Sequence, residues 1–216
     1  MQLLLHAHRV SGPRLLYSAQ NQAFYRSQMI SELQERVSYP ARVLEEPAPN
    51  SEQLTEILKC AMSAPDHAQM RPWRFIIIEG DARIKLGEAF VKATKQRDAD
   101  VSEEKLESVA GKPLRSPMII TVIASITEDH PKTPVVEQIL SAGAAAQHIS
   151  LGANALGFGA AWLTGPNTYS SIVKEALGIE AKDQIVGFIY VGTPSMSKPR
   201  RPRPDPADFV SHWTGA

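Results

Sequence analysis

Apolar residues recur every three or four positions along some segments of the chain and run unbroken through others, so amphipathic helices and buried strands are both expected. Ile30 to Val37 reads as a short helix. Tyr39-Pro40 stops it, because the residue before a proline is pushed out of the helical region. Asn50 with Gln53 three residues on has the form of a capping box, opening a helix that carries Leu54, Ile57, Leu58 and Ala61 and reaches Ala64, where Pro65 ends it. Phe75 to Glu79 is a short apolar run of strand type, Gly80-Asp81 a turn and cap, and Ala82 to Arg97 an amphipathic helix. Asp98 to Gly111 is charged and half helical, with Ser102 as its cap, and is expected to form a variable lid.

Pro117 to Ala124 is β-branched and almost wholly apolar, as expected of a strand covered on both faces. Thr133-Pro134 then has the form of an N-cap followed by proline at the first helical position. The helix it opens runs to Leu156, roughly 34 Å at 1.5 Å per residue, and is apolar or small on nearly every face. Gln147, His148, Ser150 and Asn154 interrupt it, which argues against a membrane span. A helix with so little polar surface must be covered by protein, and a dimer interface is expected along it. Thr168 is expected to cap a helix that Gly178 ends, and Gln184 to Gly192 to form the last strand. From about residue 193 a proline-rich arm follows, whose Phe209, Val210 and Trp213 are expected to dock.

At 216 residues the default is one domain. Residues 29–216 are assigned to it and residues 1–28 to an N-terminal extension outside the fold, with Met29 as the expected start. The opening apolar run is broken by His6, His8 and Arg9 before a signal peptide develops. Lys plus Arg and Asp plus Glu are equal at 23 each, giving no overall field for nucleic acid or an anionic membrane and favouring association. Cys60 is the single cysteine, so an intrachain disulfide and a thiolate zinc cluster are excluded. A reducing, cytoplasmic setting and a buried, inert thiol are expected.

The densest chemistry lies between Ala64 and Phe75, where Asp66, His67, Arg71, Pro72, Trp73 and Arg74 separate a helix from a strand. Read alone, this is equally a helix stop and a turn with Trp73 filling core. Arg36-Val37-Ser38 offers a guanidinium fork and a hydroxyl suited to phosphate, although such a tripeptide is more often surface decoration. The glycines from Gly157 to Gly165 let backbone approach a planar ring. Neither a G-x-G-x-x-G after a strand nor a G-x-x-x-x-G-K-[ST] is present. His6, His8, Asp66, His67, His130 and His148 could be assembled into a metal hydrolase, but H-E-x-x-H is absent and no metal site is expected. Lys198, Arg200, Arg201 and Arg203 form either a solvated tail or the source of one arginine for a phosphate.

A-P-D-H followed by P-W-R-F, with R-V-S upstream and G-F-G-A-A-W-L-T-G downstream, resembles the nitroreductase superfamily of FMN-dependent oxidoreductases. More narrowly, the sequence from about Met29 to about Phe209 is similar to its small bacterial members with a P-D-H loop. The resemblance implies an α+β, nitroreductase-like fold: a central mixed sheet of four to five strands flanked by helices, in an intertwined homodimer with FMN sites at the interface. It assigns FMN to Arg36, Val37, Ser38, Ser63, His67, Leu163, Thr164 and Gly165, and NAD(P)H to Ala153, Asn154, Ala155, Leu156, Gly157 and Phe158.

The sequence departs from that pattern in two places. Val37 replaces the second arginine of the family's usual pair, leaving Arg36 and Ser38 with the side-chain chemistry. Leu163-Thr164 stands where relatives carry Arg-Ser, which removes a charge. No residue is assigned as certainly catalytic; His67 is the one candidate proton donor, with Asp66 either orienting it or capping a turn. The implied activity is ping-pong transfer of a hydride from NAD(P)H through FMN to a small electron-poor acceptor, a nitroaromatic or quinone. A protein that binds or stores FMN without turnover is the reading from a different class.

Overall fold

The computed structural model describes residues 29–199 and 201–215. The expectations for residues 1–28 and Arg200 lie outside these. The chain divides into a unit ending at Glu35, whose residues 29–35 are helical (α1), and a larger unit from Arg36 to Ala216. The larger unit contains β1 (Leu44–Glu45), α2 (Ser51–Ala61), β2 (Trp73–Glu79), α3 (Ala82–Arg97), α4 (Glu103–Ala110), β3 (Met118–Ala124), α5 (Val135–Ala155), β4 (Gly159–Leu163), α6 (Ser171–Ala176) and β5 (Gln184–Pro194).

Every residue of β3 is buried. The alternation of a strand sends Met118, Ile120, Val122 and Ala124 into one hydrophobic core and Ile119 and Ile123 into another. Ile57 and Ala61 of α2 and Ala142, Ala145, Ala146 and Ile149 of α5 close the first core. Leu86, Phe90 and Ala93 of α3, Val109 of α4 and Val173 of α6 close the second. Helices thus cover both faces of the sheet, as the unbroken apolar run predicts.

The strands lie in the order β2-β3-β5-β4, with β1 pairing only the last two residues of β5. All pairings are antiparallel, which corrects the mixed sheet expected. The apolar run implied burial on two sides, and α3 with α4 between β2 and β3 is a connection long enough for either direction.

β4 was not read from the sequence, because Gly159-Ala160-Ala161 has little strand propensity. It is a strand because one edge pairs β5 and Tyr39 N–H donates to Ala160 O on the other at 3.1 Å. The register of β3 on β5 slips between Val122, opposite Gly187, and Ile123, opposite Ile185, leaving Val186 as a bulge. Trp162 Nε1 donates to the Val186 carbonyl at 3.2 Å. The indole crosses β5 so closely that a Cβ on Gly187 would stand 2.2 Å from Trp162 Nε1.

Local signals fix most helix ends. Asn50 and Gln53 form the reciprocal capping box, and Ser102 Oγ accepts from Lys105 N–H at 3.3 Å. Gly178, at φ +65°, ends α6. Other ends move by a few residues: α2 stops at Ala61, since Ser63 and Ala64 donate to Cys60 O and Ala61 O in tighter turns. Pro134 rather than Thr133 is the cap of α5, and Ser170 rather than Thr168 that of α6.

Residues 98–111 are packed rather than lid-like, with Leu106 and Val109 buried. A Cβ on Gly87 of α3 would meet Ala110 O at 2.4 Å. Cys60 is exposed, not buried, and lies beside Gly152 of α5. Phe209 and Trp213 are 76% and 87% exposed, so the arm keeps its apolar residues on the surface. No helix among the described residues is long and apolar enough to cross a membrane.

Gly187→Ala forces the indole off the bulge and is expected to lower stability by about 2–4 kcal/mol, read as a fall in the urea midpoint. A wild-type midpoint would refute the slot assigned to Trp162.

Candidate functional site

The Tyr39–Ala160 hydrogen bond lays residues 36–39 alongside β4 and brings Arg36 and Ser38 to its far end. They line a cavity of about 320 Å³ with Gln147 and Ser150 of α5 and Trp162 and Thr164. Arg36 Nη1 donates to Ser38 Oγ at 3.3 Å, so guanidinium and hydroxyl face one point. Val37 between them is buried and turns into the core, leaving only its backbone for a ligand. Gln147 and Ser150 appeared in the sequence only as breaks in an apolar helix. Their i, i+3 spacing was the available signal, since it places both on one face.

The cavity is lined by a guanidinium, three hydroxyls and a carboxamide, and by no carboxylate. That donor set fits a phosphomonoester at Arg36 and Ser38 and a polyhydroxyl chain along Ser150, Thr164 and Gln147. It is therefore compatible with FMN, whose ribityl phosphate carries both groups. Gly165, next to Thr164, has φ +113°, which favours glycine, and lines a second cavity of about 620 Å³ with Gln96, Arg97, Tyr169 and Ser170. Leu163, the last residue of β4, is 39% exposed.

Ser63 and His67 do not line the Arg36 cavity. Ser63 Oγ donates to Cys60 O at 2.7 Å and lies 3.2 Å from His148 Nδ1. His67 Nδ1 lies 2.6 Å from Glu137 Oε2 in the first turn of α5, an ion pair when the imidazole is protonated. Asp66 Oδ2 accepts from Arg71 N–H at 2.8 Å. Of the two roles open to Asp66 the structure selects the turn, and Glu137 orients His67; no sequence signal joined residues seventy positions apart.

Between these ties Ala68, Gln69 and Arg71 have φ of 60°, 53° and 50°. A side-chain-bearing residue held there costs about 1 kcal/mol or more. Gln138, fully buried beside Glu137, holds the neighbouring loop: Oε1 accepts from Thr127 N–H at 2.8 Å, and Nε2 donates to Thr127 O and Thr133 O, each at 2.9 Å. One turn of α5 thus anchors two loops.

The stretch from Ala153 to Phe158 is the end of α5 and the turn after it. Ala153 and Phe158 are core residues, while Asn154 Nδ2 donates to Phe158 O at 3.0 Å and closes the turn. Ala155, Leu156 and Gly157 are its exposed members. The stretch contains no cation to meet a nucleotide phosphate.

The described histidines do not converge. His130 Nδ1 accepts from Thr133 N–H at 3.0 Å within its own loop, and His148 faces Ser63 and Cys60 O. His6 and His8 lie outside the described residues. Among those described, no three His, Cys, Asp or Glu side chains are grouped to hold a metal ion.

Residues 33–193 match the Nitroreductase family, a span that takes in the Arg36 cavity and the His67 loop. The chain belongs to the nitroreductase family. Family membership makes it an oxidoreductase. It is 40% identical over 171 residues to the "Putative NAD(P)H nitroreductase YdjA" of Escherichia coli strain K12, covering 79% of this chain and 92% of that one. Its fold is that of a nitroreductase-like family protein from Bacillus cereus, with a TM-score of 0.73, 23% identity and coverage of 87% of this chain and 96% of the other. A nitroreductase-type structure from Desulfovibrio desulfuricans in complex with FMN superimposes with a TM-score of 0.64 at 23% identity, covering 87% of this chain and 97% of that one.

The two neighbouring residues of α5 should separate in a stability measurement. Gln138→Ala empties a fully buried site, orphans the buried Thr133 carbonyl and releases the part-buried amide groups of Thr127, and is expected to cost about 2–4 kcal/mol, measured by urea unfolding. Glu137→Gln loses a half-exposed pair worth under about 1 kcal/mol. Equal losses would remove the distinction drawn between them.

Proposed function

We propose that the protein is an FMN-dependent NAD(P)H oxidoreductase that takes a small, electron-poor acceptor such as a quinone or nitroaromatic. The observation that carries this reading is the meeting of Arg36 and Ser38 with Ser150, Trp162 and Thr164 around one carboxylate-free cavity. FMN, when bound, supplies the chemistry, accepting a hydride from NAD(P)H and passing reducing equivalents to the acceptor. Arg36 and Ser38 hold its phosphate, while Thr164, Ser150 and Gln147 hydrogen-bond the ribityl chain. Trp162, pinned to Val186, gives the cavity a rigid wall. His67, oriented by Glu137, is the group able to move a proton at Nε2. Backbone of the Leu163–Gly165 turn and the exposed end of the 153–158 stretch complete the cofactor and nucleotide assignments.

The same reading makes the working unit a homodimer. The face of α5 turned away from the first core bears Val136 and Leu140, 60% and 67% exposed, and the arm bears Phe209 and Val210, also exposed. Such surfaces on one chain are accounted for by a second copy. Residues 29–216 are taken as the functional domain, and the compartment as cytoplasmic.

The direct test is an absorption spectrum of the purified protein, followed by anaerobic NADPH and then a quinone. A yellow protein that bleaches and recovers is expected. A protein that binds FMN but fails to bleach with either NADPH or NADH favours the storage reading, and one that takes up no FMN refutes both. Arg36→Ala should raise the Kd for FMN at least about tenfold while leaving the melting temperature of the apoprotein within about 2 °C. The reverse pattern would refute the phosphate role.

A further inference from the structure

We propose that the cavity between the end of α3 and the turn after β4 is a phosphate subsite for the pyridine nucleotide, one that selects a ligand bearing a 2′-phosphate. This rests on the NAD(P)H reading above and adds a preference for NADPH that the 153–158 stretch cannot supply.

The cavity holds about 620 Å³ and its charged lining residue is Arg97. Arg97 Nη2 donates to Thr94 Oγ1 at 3.1 Å and to the buried Asn167 Oδ1 at 3.0 Å. Both acceptors sit on one nitrogen, so they fix the plane of the guanidinium and leave Nε and Nη1 with no hydrogen bond among the described residues. Each of these donors can give a single charge-assisted hydrogen bond to an oxyanion. Ser170, 8% exposed, lines the same cavity, and its hydroxyl oxygen lies buried behind the surface with no partner among the described residues. Gln96 adds an amide, and Tyr169, 78% exposed, offers a ring face to a purine.

Nearby cations strengthen the case. Burial, followed by the charges of Lys105, Arg115 and Arg97, holds the Lys112 ammonium below its ordinary range. Among the described residues none of these four cations has a carboxylate within 4.0 Å. An uncompensated cluster gains most from a phosphomonoester, which carries about −1.5 to −2 charges near neutral pH, and an arginine is a general means of accepting a 2′-phosphate. The two cavities are also contiguous in sequence: Thr164 lines the one assigned to FMN and Gly165 this one.

Calorimetry on the full chain loaded with FMN, using adenosine 2′,5′-bisphosphate and 5′-AMP as probes, tests the subsite without turnover. The bisphosphate is expected to bind at least about tenfold more tightly, and Arg97→Gln to abolish the difference. Because Arg97 also ties Asn167, Lys112→Gln serves as a second variant, with the discrimination expected to fall about threefold. In steady state both variants should raise KM for NADPH relative to NADH at unchanged kcat. Equal affinity for the two probes, discrimination that survives in Arg97→Gln, or discrimination left at its full value in Lys112→Gln overturns the subsite. A yellow protein that oxidises NADPH without discriminating the probes loses the subsite alone. If the chain holds no flavin, the same probes on the flavin-free protein separate the two ideas, since Arg97-dependent binding of the bisphosphate then overturns the flavin reading and leaves the subsite.

Discussion

The structure depends on one strand having no solvent side. With β3 buried on both faces, each of Ile119, Ile120, Val122 and Ile123 contributes about 1.5–3 kcal/mol by burial, and the helices on either side have little freedom to shift. The candidate site inherits that rigidity. β5 pairs β3 and carries β4 on its other edge, which sets Trp162 and Thr164; α5 crosses the first core, which sets Gln147 and Ser150 beside them. Groups suited to a polar ligand are therefore placed by apolar packing some distance from it.

Buried polar ties then hold what packing cannot reach. Gln138 fixes the loop after β3, and Asp183 accepts from Ile126 N–H at 2.9 Å and from Arg74. Asp183 is fully buried, and its two oxygens join the end of β3 to β2 and to the approach of β5. Both residues act through geometry: the loops around the His67 turn keep their places because backbone donors there have specific side-chain acceptors.

The parts legible in the sequence were those governed by local rules. The capping box at Asn50, the cap at Ser102, the stop at Gly178 and the two-sided strand at Met118–Ala124 each follow from a few adjacent residues. Arg36, Ser38 and Thr164 were legible through resemblance, and the fold sets them round one cavity. What escaped depends on contacts distant in sequence. β4 is too rich in small residues to announce itself, the antiparallel pairing of the sheet is decided by connections rather than composition, and Glu137 meets His67 only because α5 docks beside that loop. Cys60 looked like a core residue by period, yet it falls at the helix rim, against a glycine.

The left-handed residues Ala68, Gln69 and Arg71 mean that the His67 loop is bent against its own preferences. Its shape is a balance: the left-handed backbone costs about 1 kcal/mol or more per residue, and the hydrogen bonds that Asp66 and Glu137 accept from Arg71 N–H and the His67 ring offset it with energies of the same order. In a protein whose core is locked by packing, this turn is the part whose shape is set by side-chain hydrogen bonds against the preference of its own backbone.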